Sequence, residues 1–474
     1  MKSLPERLAE PRAARGVVLG LIGLCTLGVL VYVTRGTLDT ITRDEWRFLD
    51  ILHHWYDGQF SLADVWDTNT AGSEHRVPVF KLYFLADALW FGLDVRVGCW
   101  LGVAALGVFA LLLYRHFLRM RPEGRDAFDH YAFLPVVFTL FSYAQTHTYT
   151  YDLLAVFTIT GSMLMAALWM QMDFRLRGPQ PLWRYAAFAL GLAALIVLFG
   201  AGKGPALVLA TAVIALPLAW QAGGRYRLRV LACVGAGALV GELVYWHGGA
   251  GGLSDSSLGS LVSRVFADLP GAASYVLHAL GAALVNPEVF NAGLRSTGVA
   301  WAGGLVLAAA VAALVVYLRT RMYRRTLLPL ALAVFAAGYL AELVVGRFGG
   351  GTENGSAPRY VFTDHLLVLA CVYVFAEACR GLHAAGRRQA ALTVLLVLGV
   401  TVAVIESRSL DVEYQFIPAQ LRAQQAAIDV TKARMAGQPG DYPAWDCPKT
   451  DLCDDGARFL AQHHLSLFRE DATP

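Results

Sequence analysis

The sequence predicts an all-α, polytopic membrane protein, a helical bundle with about eleven transmembrane helices and further helices lying on the outer face. Three observations predict it. Of 474 residues, 56% are hydrophobic and 16% charged, and the mean hydropathy is +0.49, well above a soluble domain. The apolar residues gather into continuous runs that suit a bilayer core of about 30 Å and lack the period of two of a barrel strand. Finally, Lys and Arg sort by loop, so the formal charge of +3 reports membrane sidedness and gives no reason to expect nucleic acid as a partner.

The runs cover residues 16–33, 95–114, 131–143, 153–170, 185–199, 205–220, 230–246, 299–318, 327–345, 360–378 and 390–405. With the N terminus inside, the inner segments hold Lys2, Arg7, Arg12 and Arg15, then Arg115, Arg119, Arg121 and Arg125, then Arg175, Arg177 and Arg184. They continue with Arg225, Arg227 and Arg229, with Arg319, Arg321, Arg324 and Arg325, and with Arg380, Arg387 and Arg388. These are 21 of the 39 basic residues, beside six acids, so every turn obeys the positive-inside rule. Residues 77–92 are apolar enough for a short span, but a crossing there would invert every later loop. Carrying Lys81 and Asp87, the stretch reads instead as a helix along the outer surface. Residues 16–33 follow a basic start but no small-x-small cleavage site follows them, which predicts an uncleaved anchor.

The chain thus divides into a transmembrane module, 1–405, and a small outer tail, 406–474. The module carries outer loops at 34–94, 247–297 and 346–359; the apolar piece 272–285 of the second is expected to hug or re-enter the membrane. Cys25, Cys99, Cys233, Cys371 and Cys379 fall in apolar runs and read as small hydrophobes. Cys447 and Cys453 stand in the tail, where an oxidising compartment would join them in a disulfide.

Five polar clusters lie on the outer side. Arg43-Asp44-Glu45-Trp46 follows the first span; adjacent carboxylates can hold a divalent metal ion or take a proton from a hydroxyl, or they can simply start an amphipathic helix over 44–56. Glu74-His75-Arg76-Val77-Pro78, leading to Lys81, makes either an anion site suited to phosphate or a set of headgroup anchors. Gly200-Ala201-Gly202-Lys203-Gly204 lets backbone approach a ligand beside one charge, or is a tight turn; it lacks the spacing of a nucleotide-binding loop. Ser356-Ala357-Pro358-Arg359-Tyr360 leads into the tenth span with Asp364 and His365 just below, a charge placement that suggests a polar cavity. Residues 145–152 carry His147, Tyr149, Tyr151 and Asp152; an aromatic belt explains the tyrosines but not Asp152. A shared outer-face cavity accounts for all five economically.

With these residues the sequence resembles the GT-C superfamily of integral-membrane glycosyltransferases, the class of the protein O-mannosyltransferases and the lipid A aminoarabinose transferase. The resemblance rests on the acidic pair Asp44-Glu45 after the first span. It continues with His75-Arg76-Val77-Pro78 opening a surface helix, and then with Trp90-Phe91-Gly92 and Val95-Arg96 at the second span. The later Pro358-Arg359-Tyr360 is similar to a largely uncharacterised bacterial branch. The second family proline is replaced here, and Asp152 only loosely matches the acid expected in the second outer loop. The resemblance implies inverting transfer of a sugar from a polyprenyl-phosphate carrier to a hydroxyl of a glycan, lipid or protein acceptor, on the outer face of a bacterial inner membrane. It implies Asp44 as general base and Glu45 as its partner. His75, Arg76, Lys203 and Arg359 would hold the donor phosphate, and Lys81, His147, Tyr149, Asp152 and Tyr360 would line the substrate cavity. Asp44 and Asp152 are the residues to which a divalent metal would bind, if the reaction uses one. The rival readings are a flippase or transporter of lipid-linked saccharides, which calls for polar groups in both halves of the bilayer and internal symmetry, and an O-antigen-type polymerase.

Overall fold

Every element is helical among the residues that the computed structural model describes, which are 10–67, 75–120, 126–222, 224–247, 258–285, 296–443, 446–447 and 449–472. Lys2, Arg7, Glu74, Arg121, Arg125 and two stretches of the second outer loop lie outside them. The elements run in order as α1 (Pro11–Gly36), α2 (Leu49–Tyr56), α3 (Leu62–Trp66), α4 (Pro78–Phe91), α5 (Val95–Arg119), α6 (Ala127–Tyr131), α7 (Leu134–Leu140) and α8 (Thr146–Thr150). They continue as α9 (Asp152–Arg175), α10 (Leu182–Phe199), α11 (Gly204–Ala222), α12 (Gly224–Trp246), α13 (Leu258–Ala267) and α14 (Leu269–Ala282). The last five are α15 (Ser296–Arg319), α16 (Leu328–Arg347), α17 (Val361–Ala384), α18 (Arg388–Met435) and α19 (Thr450–Gln462).

Ten helices among the described residues are long and apolar enough to cross a membrane: α1, α5, α9, α10, α11, α12, α15, α16, α17 and α18. The apolar run at 131–143 is not one of them. It breaks into α6, α7 and short turns, because Pro135 in the first turn of α7 suits a helix start and not a helix interior. Even so, this segment connects the two ends of the bundle. Asp152 at the start of α9 lies against Gly98 at the start of α5, so close that a Cβ on Gly98 would come within 2.7 Å of that of Asp152. At their other ends Arg115, His116 and Arg119 of α5 line one cavity with Gln171 and Arg175 of α9. Two parallel helices need a return between them, and the segment from α6 to α8 supplies it: His130 hydrogen-bonds Tyr114 near one end, and His147 meets Arg43 at the other. The Gln145 amide satisfies the loose Leu140 carbonyl on the way, at 2.7 Å.

Helix α17 is the centre of the bundle, with 83% of its apolar window buried against 11% for α18 at the periphery. It packs on α15, α16, α18 and α7, and each ring nitrogen of His365 meets a carbonyl, of Ala283 and of Thr139, at 2.6 Å. At the arginine-rich end Arg380 is fully buried and donates to Asp129, Glu377 and the Phe117 carbonyl at 2.6–2.8 Å, while Arg325 reaches Glu377 at 3.0 Å. Removing one partner of such a network costs about 3–5 kcal/mol, so these charges lock the helices together.

Helix α4 has 14 residues, roughly 21 Å, too short for the apolar core, and ends at Gly92 in the left-handed conformation (φ 68°). The tail beyond residue 405 is not a loose appendage, because α18 runs 48 residues, roughly 70 Å, straight past the apolar layer. The C-terminal half of α18 and the chain beyond it pack back over α1 and the described residues of the 34–94 loop. Tyr32 donates to Glu413 at 2.5 Å, Leu38 N–H to Gln424 at 2.8 Å, Arg43 N–H to the Asp446 carbonyl at 2.6 Å, and Ser466 N–H to the Gly92 carbonyl at 2.8 Å. Arg469 pairs with Asp39 and Asp94, and a Cys447–Cys453 disulfide ties the connection to α19.

Candidate active site

The acidic pair Asp44-Glu45 sits in a 3-10 turn, Arg43–Phe48, that runs directly into α2, so the helix expected over 44–56 forms in two pieces. Adjacent residues of such a turn point about 120° apart, and the two carboxylates part company. Asp44 is half-exposed and pairs with Arg47 at 3.3 Å. Glu45 is fully buried: one oxygen accepts from the Thr42 N–H at 2.6 Å, closing the turn as a capping box, and the other meets no N–H donor.

Asp152, also fully buried, lies close enough for its charge to act directly on Glu45, and one oxygen of each carboxyl has no donor in the framework. Two carboxylates cannot share such a space both ionised, so one proton lies between them. Burial, then the Asp152 charge, pushes Glu45 well above the usual carboxylate range. The neighbourhood is rich in acid. Burial pushes Asp87 up to about 8 and Asp39 to about 6, while Asp446, contributed by the tail and opposed only by Arg43, rises to about 7.

Arg43 is the hinge of the site. Its backbone is left-handed (φ 55°), a conformation costing about 1–2 kcal/mol for a side-chain-bearing residue, and its N–H is held by the tail at Asp446. Its guanidinium donates to His147 Nε2 at 2.6 Å and lies 5.9 Å from the Tyr151 ring. A guanidinium only donates, so that nitrogen is bare. Burial, then Arg43 and Arg359, hold His147 well below its ordinary value and keep it neutral. Arg359, exposed over the Tyr360 ring at 4.9 Å, and Lys203, 4.9 Å above the Tyr339 ring, both act electrostatically on Tyr339 or on the groups around it. Gly202 (φ 84°) makes room for His75: a Cβ there would lie 2.6 Å from the imidazole. The loops carrying His75 and Lys203 therefore meet.

Other residues singled out from the sequence are committed to the framework. Arg76 is buried, donates to the Tyr245 carbonyl at 2.5 Å and stacks 4.7 Å over Trp66. Lys81 donates to the Asp64 and Asp67 carbonyls at 2.8 and 2.6 Å, closing α3, and lines a small cavity of about 150 Å³ with Asp50 and His54. Tyr149 is fully buried, donating to the Ser142 carbonyl at 2.9 Å and accepting from Gln145 at 2.6 Å. Tyr360 is buried beside Tyr339. Among the described residues no three His, Cys, Asp or Glu side chains converge as a metal site; Asp44 turns to Arg47 and Asp152 to Glu45.

Sequence reasoning did not single out Arg43 as a side chain, Asp446 or Tyr275. Asp446 stands next to Cys447, but nothing local announces that the tail folds back. Below Trp46 of the Arg43–Phe48 turn, α2 and α19 enclose a polar cleft of about 480 Å³ lined by Trp46, Asp50, His53, Phe459 and His463. The arrangement offers a solvent-reachable carboxylate next in sequence to a buried, protonated acid pair. Compared with models of known protein families and with curated proteins, the chain matches none.

Proposed function

We propose that this protein is a GT-C type glycosyltransferase that moves a sugar from a polyprenyl-phosphate donor to an acceptor hydroxyl, with inversion. The observation that carries this reading is the split of the acidic pair. Of the two, Asp44 alone reaches solvent, while Glu45 and Asp152 hold a proton behind it. Asp44 takes the proton of the acceptor hydroxyl as that oxygen attacks the anomeric carbon; the bond to the carrier phosphate breaks, and the phosphate leaves with the electron pair. Arg359, with His75 alongside, balances the charge that grows on the phosphate. Arg43 and His147 keep the Asp44 turn in register.

The chain then crosses the membrane eleven times, the third crossing being the broken segment of α6 and α7, with the N terminus inside and the site on the periplasmic face of a bacterial inner membrane. The rival transporter would need an open polar path through both halves. At the arginine-rich end the buried charges Arg380, Glu377 and Asp129 are instead locked in ion pairs. Mass spectrometry of envelope lipids, glycans and glycoproteins tests the reading. A strain without this protein should lack one sugar-mass increment on one class of acceptor, and unchanged glycan masses would refute the proposal.

A further inference from the structure

Next to the candidate active site lies a second group of polar atoms that the proposed transfer does not use. Asp364, one turn into α17, is 1% exposed, and neither of its carboxyl oxygens has a hydrogen-bond partner. Tyr275 on α14 is 0% exposed and its hydroxyl is equally without one, although it lies within electrostatic range of both Asp364 and Tyr360. Lys203 Nζ donates to the Thr363 hydroxyl at 3.3 Å and not to Asp364, whose charge it nevertheless feels. Glu342 is turned away to cap α11 through the Ala206 N–H at 2.9 Å. Half-buried Tyr339, with Tyr360 edge-on at 6.3 Å and exposed Arg359 above, forms the rim.

A buried carboxyl without a donor, a buried hydroxyl without a partner and an under-used ammonium in one place are costly unless a ligand completes them. The charges select that ligand. Asp364 stands against a phosphate dianion, and Lys203 stands against an amine. A neutral ring bearing several hydroxyls satisfies all three groups, because each hydroxyl accepts from Lys203 or Tyr275 while donating to Asp364, and the tyrosine rings flank its apolar faces. Resting on the glycosyltransferase reading, we infer that Asp364, Tyr275 and Lys203 form the subsite that reads the hydroxyls of a neutral donor sugar. Lys203 thereby belongs to the sugar and not to the carrier phosphate, which falls to Arg359.

The test compares a short-chain polyprenyl phosphate with its neutral hexosyl derivatives (glucosyl, galactosyl and mannosyl) as ligands of the full-length protein in nanodiscs. The variants are Asp364→Asn and Tyr275→Phe, which keep side-chain shape. The wild type should bind at least one hexosyl form about tenfold or more tightly than the bare carrier, and both variants should lose that preference while keeping bare-carrier affinity. A sugar preference that survives in both variants, or an equal loss of affinity for both ligands, overturns the subsite and leaves the proposed function standing. Binding of neither ligand by the wild type overturns both.

Discussion

Asp87 on α4 gives the acid cluster a measurable consequence. Its carboxyl is 1% exposed and pushed up to about 8, by burial first and then by Asp152, Asp94 and Asp39, with the Tyr83 hydroxyl opposing. In an unfolded chain an aspartate titrates at about 3.9. Because the folded value is the higher one, the native state holds a proton that the unfolded state releases between those limits. The stability tied to Asp87 is therefore fully present below about pH 4 and is lost as pH rises towards 8. The loss is about 1.4 kcal/mol per pH unit, up to roughly 5 kcal/mol over the window. Asp87→Asn keeps the shape and cannot ionise. Unfolding of the purified protein in detergent, followed by its tryptophan fluorescence from pH 5 to 9, should show the variant gaining on the wild type by about 3–4 kcal/mol between pH 5 and pH 8. Parallel curves would show that Asp87 is already ionised in the folded protein and would refute the reasoning.

The same contacts set three further outcomes. Glu45→Gln keeps the acceptor that closes the capping box with Thr42, so it should fold like the wild type and lower glycan transfer less than Asp44→Asn does; the reverse order, read from product yield, would exchange the two roles. The Cys447–Cys453 disulfide bridges the tryptic site at Lys449, so non-reducing digestion should leave the two flanking peptides joined. Reduction should separate them and lower stability by about 2–3 kcal/mol, as for a short closed loop; free thiols in the purified protein would contradict it. In intact cells an impermeant maleimide should label Asp441→Cys and reach Ala385→Cys only after permeabilisation, since both positions are exposed and lie at opposite ends of α18. The opposite pattern would invert the topology.

The helical, multi-pass character was legible because lipid imposes it locally: each long run of apolar residues announces itself, and arginines mark the loops between. The run at 131–143 was harder. Residues 131–143 read as one apolar run, but hydropathy does not weigh the proline at 135, and the Leu140 carbonyl left open where α7 ends is met by the Gln145 amide. Asp44 and Glu45 drew notice together as a pair, whereas their separate environments depend on Arg47 in one direction and on Asp152, over a hundred residues away, in the other. The tail shows the same limit. Composition marks it as polar, yet its role in holding Arg43 through Asp446 exists only once the chain has folded back. Lys81, Arg76 and Tyr149 illustrate the converse, since a polar residue in an apolar setting attracts attention while its hydrogen bonds serve the backbone nearby.

The most direct test of the central claim is complementation of a strain lacking this protein with the wild type or with Asp44→Asn, read by mass spectrometry of envelope glycoconjugates. Asp44 is half-exposed and its replacement by the isosteric amide disturbs no buried contact, so the variant should reach wild-type amounts in the membrane. The account predicts that the wild type restores the missing sugar increment and that Asp44→Asn, equally abundant, does not, because an amide cannot accept the acceptor's proton. Full restoration by Asp44→Asn would contradict it.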